Sequence, residues 1–213
     1  MRDRLTPSDV RAMMEKVAVD LTDHAEELRV LDAAIGDGDL GITITLGFAA
    51  VREELATLDG QDIATLVLRS GMAFNRRAAS TFGALFATMC MRAARAAKGL
   101  GALGLAEVAA MAEAAADGVK ERGKSDVGQK TLLDALVPGA EALRAAAREG
   151  ASLAEGLGSA RDAAHAGMLA TEWLKSEVGR ASWFRERTVG FRDPGAVVVY
   201  LMILSLSEYV SEP

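Results

Sequence analysis

The chain has 213 residues, enough for one sizeable domain, and is half apolar with 21 glycines, 4 prolines and about 5% aromatic residues. Abundant alanine beside so few aromatics argues against a β-sandwich and for helices packed through small side chains. The net charge of -6 gives no basic footprint for nucleic acid and no attraction to an anionic membrane surface, so neither is expected as a partner.

No apolar signal segment opens the chain. Thr6-Pro7-Ser8-Asp9 reads as an N-cap, a proline at the first helical position and an acidic first turn, followed by Val10, Met13, Met14, Val17 and Leu21 at helical spacing. A first helix is expected from about residue 7 to 29. Next comes Asp32-Ala33-Ala34-Ile35-Gly36-Asp37-Gly38-Asp39-Leu40-Gly41, three carboxylates with glycines between them. Glycine frees the backbone, so Asp32, Asp37 and Asp39 can converge on one point. Three close carboxylates repel one another unless a cation sits among them. Hard oxygen ligands suit Mg²⁺ or Ca²⁺, and a Mg²⁺ site with few protein ligands leaves positions for water and substrate phosphates. A phosphate-handling site is the first functional expectation.

Ile42, Ile44, Leu46, Phe48, Val51 and Leu55 lead into a second helix ending near Gly60. A third is expected over 63–74 and a fourth, apolar enough to be central, over 81–97. The fourth holds the single cysteine, Cys90, which rules out an internal disulfide, suits a reducing compartment and reads as a buried small hydrophobe. Three more helices are expected over 105–119, 130–148 and 153–173. The last begins at Asp193-Pro194-Gly195, where Asp caps and Pro occupies the first turn, and runs to Tyr209. Its Val-Val-Val-Tyr stretch is strand-like in isolation, but the cap and the length favour helix. Its uncharged run, 196–206, is too short to span a bilayer, so a cytoplasmic protein is expected. The fold class that follows is all-α, one domain over 1–213, about eight helices with glycine-marked joints.

Several motifs look sharper than their context allows. Residues 36–41 match G-x-G-x-x-G, but two aspartates occupy the intervening positions and the flanks are helical rather than a strand and a helix. Gly118-Val119-Lys120-Glu121-Arg122-Gly123-Lys124-Ser125 matches the Walker A letters, yet a helix precedes it and a loop follows. An EF-hand fails because its twelfth position from Asp37 is Phe48. His24 and His165 have no metal-like spacing and read as surface or packing residues.

Four segments combine glycine with polar groups at expected helix starts, the arrangement that binds phosphate through free backbone N–H groups: 37–43, 78–83, 123–131 and 179–195. In order, these segments and the residues that follow them read Asp37, Asp39, Leu40, Gly41, Ile42 and Thr43, then Ala79-Ser80-Thr81-Phe82-Gly83, then Gly128-Gln129-Lys130-Thr131-Leu132-Leu133-Asp134-Ala135-Leu136. The last reads Gly179-Arg180-Ala181-Ser182-Trp183, Glu186-Arg187 and Asp193-Pro194-Gly195, followed by Ala196. This series resembles the ADP-binding L subunit, or L domain, of dihydroxyacetone kinases over nearly the whole chain. The C-terminal motif is the most specific part of the likeness.

The resemblance implies a barrel of eight antiparallel amphipathic helices with a nucleotide, ADP or ATP, at one end. It implies that Asp32, Asp37 and Asp39 hold two Mg²⁺ ions that bridge to the phosphates, and that Arg180 supplies the fixed positive charge beside them. Leu40, Gly41, Ile42, Thr43, Ala79 and Ser80 would contact phosphates, and Gly123, Leu132, Asp193, Pro194 and Gly195 would line the pocket. Lys130 and Thr131 are equally readable as scaffold. The family histidine and asparagine after the third aspartate are Leu40 and Thr43 here, and the Asp before Lys-Thr is Gln129. With Leu40, phosphate contacts at that position fall to backbone amides. The implied activity is phosphoryl transfer to dihydroxyacetone or a related small keto sugar held on a separate K-type subunit. The donor is ATP or a phosphotransferase-system protein, and a homodimer is compatible with the family. A non-catalytic ADP/Mg-binding regulatory module is the alternative.

Overall fold

The computed structural model describes residues 3–183 and 185–212, with the backbone alone at 180 and 181. Thr6 opens α1 (Pro7–Asp23) with a reciprocal cap: its Oγ1 accepts from the Asp9 amide at 3.3 Å, and Asp9 Oδ2 accepts from the Thr6 amide at 2.8 Å. The expected single helix to residue 29 is in fact two. His24 leaves helical geometry at φ -90°, ψ 4°, and α2 (Ala25–Ile35) begins after it. Leu21 and Leu28 are both fully buried, so the apolar spacing runs across this break and conceals it in the sequence.

The remaining helices are α3 (Leu40–Leu55), α4 (Ile63–Arg77), α5 (Thr81–Ala96), α6 (Leu105–Gly123), α7 (Leu133–Glu149), α8 (Leu153–Ala170) and α9 (Pro194–Ser211). Nine α-helices and no strand occur among the described residues, with one isolated bridge between Leu5 and Leu103. α3 stops five residues before Gly60, because residues 56–58 turn. α7 starts three later than Lys130, which takes a left-handed φ of 58°. α8 gives way at Thr171–Trp173 to a short 3-10 turn. The Walker-like stretch is the end of α6, and Lys124 caps it at φ 48°. It is not a phosphate loop. Asp193 caps α9 by accepting from the Ala196 amide at 2.7 Å, and the Val-Val-Val-Tyr stretch is helical.

Eight of these helices pack side by side as a closed ring, in the order α1, α3, α4, α5, α6, α7, α8, α9 and back to α1. α2 is a ninth, lying on α3 and α9 outside the ring order. The Leu5–Leu103 bridge puts the starts of α1 and α6 at one end of the barrel. The starts of α3, α5, α7 and α9 all reach one cavity at the other end, so neighbouring staves alternate in direction. Inside the ring, Phe48 meets Phe74 and Phe86 edge to face and Phe74 lies tilted on Phe86, with centroids 4.7–5.5 Å apart. Cys90 is buried, and burial pushes its thiol up to about 12, which makes it inert packing. α9 is long and apolar enough to cross a membrane by length and composition, contrary to the expectation from its shorter uncharged run. Its Val197, Val198, Val199, Leu201 and Val210 lie in the core, where a helix apolar on all sides is at home.

Candidate nucleotide and metal site

α2 ends at Ile35 and α3 begins at Leu40, so residues 36–39 must turn the chain and present the acids within four positions. Two glycines make this feasible. A Cβ at Gly36 would collide with Asp32 Oδ1, and Gly38 takes a left-handed φ of 75°. The Leu40 amide donates to Asp32 Oδ2 at 3.1 Å and fixes that carboxylate over the start of α3. One oxygen from each of Asp32, Asp37 and Asp39 then lies within 4.8 Å of the others. Burial, and after it the Asp32 charge, push the Asp39 carboxyl above its ordinary value. Oxygen-only donors at this spacing, with one already resisting ionisation, fit a hard divalent cation such as Mg²⁺.

The triad opens onto a cavity of about 300 Å³. Of the residues anticipated from sequence, Asp32, Asp37, Asp39, Leu40, Thr43, Ser80, Gly123, Leu132, Asp193, Pro194 and Gly195 line it. Gly41, Ile42 and Ala79 do not. Gly41 is a packing residue: a Cβ there would run into the Ala25 carbonyl of α2. Ile42 is 60% exposed on the outer face of α3, one helical step away from the mouth. The Arg180 side chain lies outside the described residues; its backbone belongs to the 3-10 turn Arg180–Trp183.

Residues that the sequence reading did not assign to the pocket also line it, among them Phe82, Leu85, Val119, Ser125, Lys130 and Val178. Phe82, Leu85 and Val119 follow a helical spacing indistinguishable from core. Their place on the wall appears only once the barrel closes. Ser80 caps α5, its Oγ accepting from the Gly83 amide at 3.0 Å, which leaves its O–H able to donate into the cavity. His24 meets Glu27 at 3.0 Å and His165 lies on the Tyr200 ring at 4.7 Å; neither lines the cavity.

Four helix starts reach this space, and each contributes partial positive charge although its first amides are in part already capped, by Asp32 at α3, Ser80 at α5, Thr131 at α7 and Asp193 at α9. Charged side chains pull the other way. Among the described lining residues the carboxyls of Asp32, Asp37, Asp39 and Asp193 face the single ammonium of Lys130. A polyanion therefore enters with cations or is repelled. Burial above all pushes Asp193 up to about 7, against the Ala196 amide, which acts to lower it.

A family model described as the DAK2 domain matches residues 34–208, which takes in every one of these pocket residues but Asp32. The chain belongs to the DAK2 domain family. It is 36% identical over 184 residues to the ADP-binding subunit DhaL of the PEP-dependent dihydroxyacetone kinase of Escherichia coli K12, covering 86% of this chain and 88% of that subunit. It is 29% identical over 204 residues to the D-erythrulose kinase of Mycolicibacterium smegmatis, covering 95% of this chain but 35% of that enzyme. The crystal structure of the C. freundii dihydroxyacetone kinase in complex with AMP-PNP and Mg²⁺ superposes with a TM-score of 0.72 at 26% identity, over 93% of this chain and 33% of that one. These relatives are kinases or kinase subunits, and the DAK2 chain described here corresponds to a whole subunit in one and a third of the polypeptide in the others.

Proposed function

We propose that this DAK2 chain is the nucleotide- and Mg²⁺-binding subunit of a cytoplasmic kinase for dihydroxyacetone or a related small keto sugar, acting with a separate K-type subunit that holds the sugar. Residues 1–213 would work as one L-type unit. The observation that carries this reading is the meeting of the Asp32/Asp37/Asp39 cluster with four helix starts in one cavity.

Asp32, Asp37 and Asp39 would hold two Mg²⁺ ions, which when bound supply neutralising charge to the phosphates. The amides at the starts of α3 and α5, with the Ser80 O–H, would orient the phosphate chain, and Arg180 would add a fixed positive charge. Phe82, Leu85, Val119, Leu132 and Pro194 give the apolar wall that a base requires. Phosphoryl transfer then needs an acceptor hydroxyl brought to the mouth by another chain. Trp173 and Trp183 are 76% and 80% exposed, and with Val127, Val189 and Phe191 they lie on the loops around that end. Large apolar side chains rimming a catalytic mouth support a protein seat there.

The donor assignment rests on the PEP-dependent relative, which supports a relay in which ADP stays bound and a phosphotransferase-system protein recharges it; the ATP form would instead exchange nucleotide. ADP surviving exhaustive dialysis favours the relay. Metal analysis counts the ions, and light scattering settles whether the L-type unit is a homodimer.

The direct test is calorimetric titration with ADP at several Mg²⁺ concentrations. Binding that requires Mg²⁺ is expected, and absence of heat at every concentration overturns the reading. Activity with a co-expressed K-type partner, scored over several keto sugars, separates the kinase from a regulator that binds nucleotide without turnover.

A further inference from the structure

Lys130 is buried as few lysines are. It is 2% exposed, takes φ 58°, and donates from Nζ to the Thr171 carbonyl at 2.6 Å and the Phe191 carbonyl at 2.5 Å. Burial pushes its ammonium below the ordinary lysine value, while the charges of Asp193, Glu172 and Asp134 act to raise it.

The groups it touches are themselves junctions. Thr171 Oγ1 donates to the Met168 carbonyl at 2.6 Å and accepts from the Asp193 amide at 2.9 Å. Asp134 accepts from the Gly128 and Thr131 amides at 2.6 and 2.7 Å, which folds the loop bearing Lys130 back onto the start of α7. One ammonium thus ties the 128–132 loop to the end of α8 and to the segment entering α9. Thr131 and Leu132 stand on one side of this tie and Asp193, Pro194 and Gly195 on the other, and all five line the cavity. Two of the ammonium's three N–H groups are taken up by carbonyls, so its geometry is set by the protein rather than by a ligand.

We propose that Lys130 is a positioning residue for nucleotide binding: it holds the Thr131–Leu132 wall against the Asp193–Gly195 wall, where a Cβ added at Gly195 would already meet Leu132 Cβ at 3.3 Å, and so sets the shape of that side of the cavity. This rests on reading the cavity as a nucleotide site. An apolar side chain of the same length would fill the space but leave the Thr171 and Phe191 carbonyls without their donor, and the two walls would separate.

The test compares wild type, Lys130→Met and Lys130→Arg by calorimetry with Mg-ADP and Mg-ATP, at a temperature where circular dichroism shows each fully folded. Lys130→Met should weaken both nucleotides by the same factor, about tenfold or more, and Lys130→Arg, which keeps charge and donors, should recover part of the loss. A folded Lys130→Met that binds like wild type overturns the proposal, as does an equal loss in both variants. A loss that grows from ADP to ATP also overturns it, because the ammonium would then be touching phosphate. Should Lys130→Met fail to fold, Asp134→Asn takes its place: an equal fall for both nucleotides supports the tie, and unchanged affinity overturns it. Wild type that binds neither nucleotide defeats the reading of the site itself, a separate outcome.

Discussion

Two clusters of aspartates lie at the same cavity, one lining it and the other reaching it through Asp193 with Asp134 buried behind, and they are built in opposite ways. At the start of α3, Asp32, Asp37 and Asp39 bring their oxygens within 4.8 Å of one another, and the ionisation of Asp39 is resisted. Between α7 and α9, Asp134 and Asp193 accept backbone amides, and Lys130 supplies a cation from within the chain. The same side chain would serve as a ligand in one place and serves as a brace in the other. Environment decides which: glycines that permit crowding in the first, helix caps and a buried ammonium in the second.

The largest effect should come from breaking the first cluster. Asp37→Ala should reduce Mg-dependent ADP affinity at least about 100-fold, because a metal ligand is lost. Stability should stay within about 0.5 kcal/mol, as expected for an exposed loop position. An equally large loss of stability would mean that Asp37 is a brace after all. Asp39→Asn sharpens the contrast further. Removing a charge that burial, and after it Asp32, opposes should raise the melting temperature of the protein in chelator while lowering Mg-ADP affinity about tenfold. A falling melting temperature would refute crowding.

The second cluster predicts a pH signature. Asp193 has a folded-state value of about 7, above the unfolded 3.8, so the native state binds this proton more tightly. Its contribution to stability is fully present below about 4 and is lost as pH rises to about 7. Asp193→Asn keeps the cap and removes the titration. The variant should therefore gain on wild type as pH rises from 4 to 7, by up to about 1 kcal/mol per pH unit, read from denaturant midpoints. Parallel curves would show that the carboxyl is not opposed by burial. As a baseline, Lys16→Met breaks half-exposed ion pairs to Asp20 and Glu208 far from the cavity. It should cost no more than about 1 kcal/mol and leave ADP binding unchanged.

Much of the aspartate loop is legible in the sequence because its determinants are local: acids and glycines within eight positions fix where the carboxylates can go. The Asp193-Pro194 start of α9 is legible for the same reason, since a cap is read from adjacent residues. Lys130 is not. Its burial is created by Thr171 and Phe191, 41 and 61 residues further on, and nothing around position 130 announces them. The break at His24 escapes because apolar spacing continues through it, and Ile42 misleads because adjacency to the loop does not tell which face of α3 it occupies. Phe82, Leu85 and Val119 look like ordinary core until the ring of helices decides which of them meets the cavity.

That ring closes where α9 lies along α1, with Tyr209 Oη donating to Asp9 Oδ1 at 3.3 Å across 200 positions of chain. It is among the most non-local contacts in the molecule, so closing the ring carries a loop-entropy cost that the core must offset. The start of that same helix carries Asp193, Pro194 and Gly195 into the cavity. A chain lacking α9 would keep all three aspartates of the 32–39 loop and still have no closed pocket. Nucleotide binding in this cavity would require the finished barrel, and ligand binding would then report that the ring has closed.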